Sequence, residues 1–372
     1  MSKSVKPPGK NHATADHLMK WHNVLSRSAL QMKSLLAAIC VASIACEKKE
    51  TPSAAAVLPV IQEQAQVPSN APSSPPPATK SNTNQASSAS VATTNAGLRF
   101  VGYNVENWLI LESRYDFETR ETSKNAPKPD KEKSAVVEIL RNARPDVLGV
   151  CEIGSKEDLI DIQTRLKSAG LDLPHSHFAS GVDSSRHLGL LSRFPIISTT
   201  QAKDTRYQLN GKEYGIQRGI LDATVQSPDQ RTWRFLGVHL KSKRDVEDGD
   251  QNQMRINEAQ LLRKHIDEIL KTDPQVRLIS YGDFNDTRAS SPIRIVQGPY
   301  NSPRAMTPIG LHDSRREYWT HFWAKEDSYS RFDYIFFSQA LKNEVSFKEC
   351  GILDPANWND ASDHRAVLGV FR

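Results

Sequence analysis

Six short polar motifs carry the chemistry of this 372-residue chain: Asn104-Val105-Glu106-Asn107, Glu152 at the close of an apolar run, His239-Leu240, Gly282-Asp283-Phe284-Asn285, Arg331-Phe332-Asp333-Tyr334, and Ser362-Asp363-His364. Together they supply carboxylates, amides and two imidazoles, with no serine triad, reactive cysteine or glycine-rich phosphate loop. Oxygen donors of this kind hold a hard divalent cation. Imidazoles beside carboxylates move and steady protons. The inventory suits attack by water on a phosphate ester.

Taken one at a time, the motifs also admit plainer accounts. Asn104 and Glu106 are two apart and would point the same way on an extended segment, as would Asp283 and Asn285; alone, each pair also reads as turn-forming. Glu152 follows Val147-Leu148-Gly149-Val150-Cys151, which reads as a buried strand. Its carboxylate either surfaces in a loop or meets a partner, and a divalent cation is the strongest one available. His239 ends Phe235-Leu236-Gly237-Val238, with Lys241, Lys243 and Arg244 just beyond. An imidazole among cations suits a phosphate site, and a structural histidine is the plainer alternative. Asp363 and His364 are adjacent, so both reach one site only if the chain turns there. Asp333 could orient an imidazole, or these three could form a capped turn or a surface salt bridge.

The elements that must position these residues alternate between short apolar runs and amphipathic stretches. Strands are expected at 98–104, 147–152, 187–192, 219–225, 233–240, 276–283, 332–337 and 365–371, and helices at 131–143, 155–168 and 252–271. Ser155 is a fitting cap for the second helix, with Gly170 just past its end. Several neighbouring strands lack an intervening helix, so the sheet should be mixed.

Composition divides the chain into a leader (1–45), a tether (46–97) and one domain (98–372). Residues 47–97 hold no Phe, Trp, Tyr or Cys and are crowded with Pro, Ser, Ala, Asn and Gln, too little apolar surface to offset ordering entropy. The 275 residues that follow suffice for one well-cored domain. The formal charge of +5 gives no argument for nucleic acid, because residues 1–45 carry six Lys or Arg against Asp16 alone and the remainder is neutral. Met32-Lys33-Ser34, the apolar run Leu35 to Cys46 and Glu47-Lys48-Lys49-Glu50 read as a secretory signal too short to span a bilayer. Its proportions suggest that translation starts at Met32. Ser43-Ile44-Ala45-Cys46 is similar to a lipobox, which would acylate Cys46, and also fits an ordinary small-x-small cleavage site. Export to the periplasm or beyond follows in either case, with membrane attachment only in the first. Cys151 and Cys350 could pair in an oxidising compartment, although Cys151 reads first as a small buried residue.

The ordered set Y-N-V-E-N, D-V-L-G-V-C-E, L-L-S-R-F-P, G-V-H-L, Y-G-D-F-N-D, R-F-D-Y-I-F and S-D-H-R, across roughly residues 98–372, resembles the endonuclease/exonuclease/phosphatase superfamily. The resemblance implies an α/β four-layer sandwich, two packed mixed sheets flanked by helices, with the motif loops at one edge. It implies a monomeric Mg²⁺- or Mn²⁺-dependent phosphoesterase acting on nucleic acid or another phosphate ester. Glu152 would be the principal metal ligand, with Asn104, Asp363 and Glu106 completing the surroundings of one or two cations. Asp283, assisted by Asn285, would position and deprotonate water. His364, held by Asp333, would contact the scissile phosphate, and His239 would stabilise the transition state or protonate the leaving oxygen. Arg218 and Asn104 would touch substrate. Trp108-Leu109-Ile110 departs from the Leu-Phe-Asp of many secreted bacterial relatives.

Overall fold

The computed structural model describes residues 97–372 apart from 117, 118, 246 and 248. The expected leader and tether, with Met32 and Cys46, lie outside the described residues except for Gly97. Two six-stranded sheets pack face to face. In spatial order the first runs Gly351–Ile352, Val367–Phe371, Leu98–Trp108, Val147–Ile153, His187–Ser192 and His175–Ala179. The second runs Met306–Pro308, Asp333–Ser338, Leu278–Asp283, Thr232–His239, Ile220–Gln226 and Ile196–Thr199.

Each sheet is mixed in the same way, with one parallel pair at its centre and antiparallel pairings outside it. Leu98–Trp108 and Val147–Ile153 form the first parallel pair, connected through helix Asp130–Ala143. Thr232–His239 and Leu278–Asp283 form the second, connected through helix Gln251–Thr272. A parallel pair needs such a crossover, and it brings both strand C-termini to one edge. Asn104, Glu152, His239 and Asp283 all lie in the last residues of these four strands, and His239 is the register partner of Asp283.

Apolar side chains fill three seams. Phe100, Leu190, Trp233, Phe235, Tyr281, Ile335 and Phe371 lie between the sheets. Val136, Ile139 and Leu140, with Leu159, Ile162 and Leu166 of helix Lys156–Ser168, cover the outer face of the first sheet. Ala259, Leu262 and Ile266, with Ile293 and Val296 of helix Ser291–Gln297, cover that of the second. The central strands are buried on both faces, which is why they read as unbroken apolar runs. Each fully buried Leu or Ile contributes about 1.5–3 kcal/mol. Directly beneath the site the sheets approach closely. A Cβ on Gly149 would come within 2.0 Å of the Tyr281 ring, and one on Gly237 within 2.7 Å of its hydroxyl. The ring fills the space those two glycines leave, two residues before Asp283.

Every expected strand and helix is present, with ends moved by up to four residues. Ser155 Oγ accepts the Asp158 amide at 3.3 Å, as its capping position requires. The edge strands His175–Ala179, Ile196–Thr199, Met306–Pro308 and Gly351–Ile352 escaped the sequence because they are short and partly exposed. Cys151 and Cys350 are both free thiols. No helix among the described residues is long and apolar enough to cross a membrane.

Candidate active site

The strands that feed the site are deliberately irregular at their ends. Pairing between Leu98–Trp108 and Val147–Ile153 shifts register between Asn104 and Trp108, where Glu106 and Asn107 take φ of +46° and +53°. The next pairing shifts between Cys151 and Ile153, around Glu152 at φ +66°. A left-handed non-glycine residue costs about 1–3 kcal/mol and persists only where its surroundings dictate it. Bulges of this kind re-aim side chains. Asn104 and Glu106 therefore do not share a face by simple alternation. Asn104 Oδ1 accepts the Glu106 amide at 3.1 Å, and Glu106 Oε2 accepts the Asp363 amide at 3.0 Å. Gly282 precedes Asp283 at φ +133°, and a Cβ there would fall 1.9 Å from the Val238 carbonyl oxygen, so only glycine fits.

Asp283 is the hub. Its Oδ2 lies 3.1 Å from Asn104 Nδ2, 3.5 Å from His239 Nε2 and 3.6 Å from His364 Nε2. Its Oδ1 accepts the amide of Asn285, which sits at φ +50° and donates its side-chain amide to the Leu240 carbonyl at 3.0 Å. Asn285 thus braces Asp283 and the loop after His239. His364 Nδ1 donates to Asp333 Oδ2 at 2.8 Å. Ser362 Oγ donates to the Asn104 carbonyl and accepts the His364 amide, forming the turn that Asp363 and His364 need. Glu152 accepts from Asn104 Nδ2 and from the Asn107 amide, and its Oε1 is 3.9 Å from His239 Nε2.

All ten residues singled out in the sequence gather at this edge. Asn104 turns its NH₂, not its oxygen, toward the carboxylates, an orientation that suits bracing and substrate contact better than metal ligation. Arg218 is buried beside Asp183, Nε to Oδ2 at 3.2 Å, with Nε and Nη1 making no hydrogen bond.

Burial and charge set the proton affinities. Burial, and then the neighbouring Asp363, raises Glu106 to about 8, only partly opposed by Lys128. Burial also raises Asp283 to about 7, against the pull of the His364 cation. Burial, then Arg218, lowers His239 to about 3, so its ring is neutral. Burial opposes a charge on His364 too, but Asp333 and Asp283 outweigh it and hold the ring cationic. Burial alone would raise Glu152, yet nearby cations and the Asn104 amide hold it below the usual carboxylate range. With His239 neutral, Arg186 and His364 are the cations responsible.

Several participants carried no clear signal in the sequence. Arg186 donates to Asn107 Oδ1 at 2.9 Å and faces Glu152 at 3.7 Å. Lys128, 1 % exposed, donates to the Glu106 carbonyl at 3.1 Å. Glu258 accepts the amides of Gln217 and Lys241, fastening the loops beside Arg218 and His239. One signal did exist for Glu258: it stands four residues from both Met254 and Leu262, a carboxylate on the core stripe of its helix. His321 lies against His364, ring centroids 4.6 Å apart, with Nε2 3.7 Å from Asp363 Oδ2.

A family model described as the endonuclease/exonuclease/phosphatase family matches residues 107–364. The chain belongs to that family. Endonuclease/exonuclease/phosphatase enzymes are hydrolases of phosphate esters and in general depend on a divalent metal. The donors here fit such an ion: Glu152, Glu106 and Asp363 supply carboxylate oxygens, and His321 sets Nε2 3.7 Å from Asp363 Oδ2. Solved structures with the same fold include the human Nocturnin catalytic domain with bound sulfate, at 15% identity, covering 74% of this chain and 94% of that one with a TM-score of 0.51. An endonuclease/exonuclease/phosphatase from Bacteroides vulgatus aligns at 14% identity over 74% and 99%, with a TM-score of 0.52. Beta toxin from Staphylococcus aureus aligns at 13% identity over 74% and 100%, with a TM-score of 0.50. No curated protein sequence matches the chain. At these identities the likeness concerns the fold alone.

Proposed function

We propose that the chain is an exported phosphodiesterase dependent on Mg²⁺ or Mn²⁺, with nucleic acid as its leading substrate. The observation that carries this reading is Asp283 Oδ2 ringed by Asn104, His239 and His364 within 3.6 Å. Glu152, with Glu106 and Asp363, would hold the cation, whose charge offsets that developing on the phosphoryl oxygens. Asp283, with proton affinity near neutrality, accepts the proton of the attacking water as the new P–O bond forms and the ester P–O bond breaks, the departing oxygen taking its proton from solvent water. Asn285 fixes Oδ1 and leaves Oδ2 to face the water. The cationic His364 and the Asn104 amide donate to phosphoryl oxygens. His239, neutral and buried, suits hydrogen-bonded support of the transition state rather than delivery of a full proton. Arg218, whose Nε pairs with Asp183 and whose Nη1 makes no hydrogen bond, would add a phosphate contact.

Support for a polynucleotide comes from the rim. Lys243 is about half exposed, pairs with Asp286 at 3.3 Å and lies 5.5 Å over the Phe332 ring. The hairpin His321–Trp323 and Ser328–Ser330 presents an exposed Trp323 on the same face as His321, and aromatic rings of this kind stack bases. Arg315 adds nothing to this support, being paired with Asp313, Glu317 and Asp354. Export rests on the sequence from Met32 to Cys46, and Cys46→Ala should move the protein out of the membrane fraction if that thiol is acylated. The activity test is a panel of plasmid DNA, RNA, bis-p-nitrophenyl phosphate, inositol phosphates and sphingomyelin, with Mg²⁺ and with chelator. Metal-dependent cleavage of the nucleic acids and the diester is expected. Cleavage confined to inositol phosphates or sphingomyelin would replace this reading with a phosphomonoesterase or a phospholipase.

A further inference from the structure

The acidic donors of the site fall into two groups separated by Asn104. Glu152 lies on one side, near His239 and Arg186. Glu106 and Asp363 lie on the other, where the Asp363 amide donates to Glu106 Oε2 at 3.0 Å. Each group has an imidazole with an uncommitted nitrogen: His239 beside Glu152, whose buried Nδ1 makes no hydrogen bond, and His321 beside Asp363. His364 is engaged on both sides, Nδ1 by Asp333 and Nε2 toward Asp283 and Asn104. His321 is different. Its ring is clamped between Phe332, stacked at 5.1 Å and 25°, and His364 at 4.6 Å. Its backbone is fixed by a bridge to His364, and the Phe322 amide donates to the Asp363 carbonyl at 2.9 Å. Nothing among the described residues hydrogen-bonds His321 Nε2, and the nearest acidic oxygen is Asp363 Oδ2 at 3.7 Å. That spacing is slightly wider than two ligands of one ion require, so a small side-chain movement would close it.

We infer that His321 is a nitrogen donor to a divalent cation held at the Glu106–Asp363 rim, and that it biases this rim toward Mn²⁺ and later first-row ions over Mg²⁺. The inference deepens the metal-dependent reading above and rests on it. Mg²⁺ takes oxygen ligands in a strict octahedron and keeps much of its water. An imidazole nitrogen is a softer donor and favours the later first-row ions. The two stacked rings preset the imidazole plane, so little side-chain freedom is lost when it ligates.

The test is cation binding to the purified full chain, measured by calorimetry with Mn²⁺ and Mg²⁺ and by pulsed EPR of bound Mn²⁺. Wild type, His321→Phe, His321→Gln and Glu152→Gln are compared; phenylalanine keeps the stack and glutamine keeps polarity. Both His321 variants should bind Mn²⁺ about tenfold more weakly or worse while Mg²⁺ binding is nearly unchanged. A nitrogen coupling in the wild-type EPR signal should vanish in both. An unchanged Mn²⁺ to Mg²⁺ preference, or a coupling that survives without His321, would overturn the inference. If neither cation binds wild type, or Glu152→Gln leaves both affinities intact, the metal-dependent reading itself fails.

Discussion

Two buried histidine–carboxylate pairs of equal length lie in the second half of the molecule, and they do opposite work. Asp333 holds His364 Nδ1 at 2.8 Å in the cleft, and Asp222 holds His265 Nε2 at 2.8 Å beneath helix Gln251–Thr272. Asp222 also takes Arg234 at 2.8 and 2.6 Å, so both its oxygens are occupied. His364 turns its second nitrogen to Asp283 and Asn104. A bonded, buried pair is therefore no mark of chemistry. What distinguishes the two is the other nitrogen, turned toward a carboxylate with proton affinity near neutrality in one case and without a hydrogen-bond partner among the described residues in the other.

The sharpest way to break this contrast is at its hub. Asp283→Asn keeps the shape of the side chain and removes the base, so hydrolysis should fall about 100- to 10,000-fold. Stability should hold or rise, since the ionised form of a carboxyl raised to about 7 is unwelcome in the fold. Turnover in initial-rate assays, set beside urea unfolding, decides it. A variant with near-normal rates would remove Asp283 from the mechanism.

The framework pair should show the reverse profile. Asp222→Ala strands Arg234 and His265 and should cost about 3 kcal/mol, as breaking buried ion pairs does. The turnover of the protein that remains folded should not change. Asp333→Asn should leave stability nearly intact and lower turnover, because His364 would lose the charge that keeps it cationic. Equal loss of turnover in both variants would mean that the two pairs are coupled.

The pairs should also separate by the sign of a pH slope. Burial alone would raise Asp222, but Arg234 and His265 outweigh it and lower its pKa. A lowered carboxyl stabilises the fold above its unfolded value of about 3.9, and that contribution is lost as pH falls through the folded value. Asp283 is raised to about 7, so its contribution is present below about 3.9 and is lost as pH climbs to about 7. In chelator, urea unfolding across this range should show the neutral-side decline flattened in Asp283→Asn and the acid-side loss reduced in Asp222→Ala. Parallel profiles for wild type and both variants would refute the assignment.

How much of this was visible in the chain follows from what each residue's neighbours reveal. Asp333 and His364 stood out because each adjoins an apolar run at a strand end, and the four central strands were plain because both faces are buried. Asp222 and His265 were silent: each interrupts an apolar pattern, but nothing local says that they meet. The alternation of an extended chain also misplaced Glu106, since the bulge and its left-handed backbone depend on the neighbouring strand. His321 lay hidden in a short aromatic strand whose partner, Ser328–Ser330, holds no apolar pattern of its own.

The smallest expected effect sharpens the comparison most finely. In His265→Gln one amide N–H can still reach Asp222, and Arg234 stays in place, so the carboxylate keeps most of its compensation. The substitution should cost no more than the worth of one such hydrogen bond, about 1 kcal/mol. Because His265 Nε2 points to Asp222 and the ring is otherwise packed in the helix layer, no path leads from it to the cleft except through strand Ile220–Gln226. Urea unfolding should register the small loss, while kcat and KM on the diester substrate stay at wild-type values. A fall in kcat would show that the outer pair tunes the inner one, and the distinction between framework and chemistry would have to be drawn elsewhere.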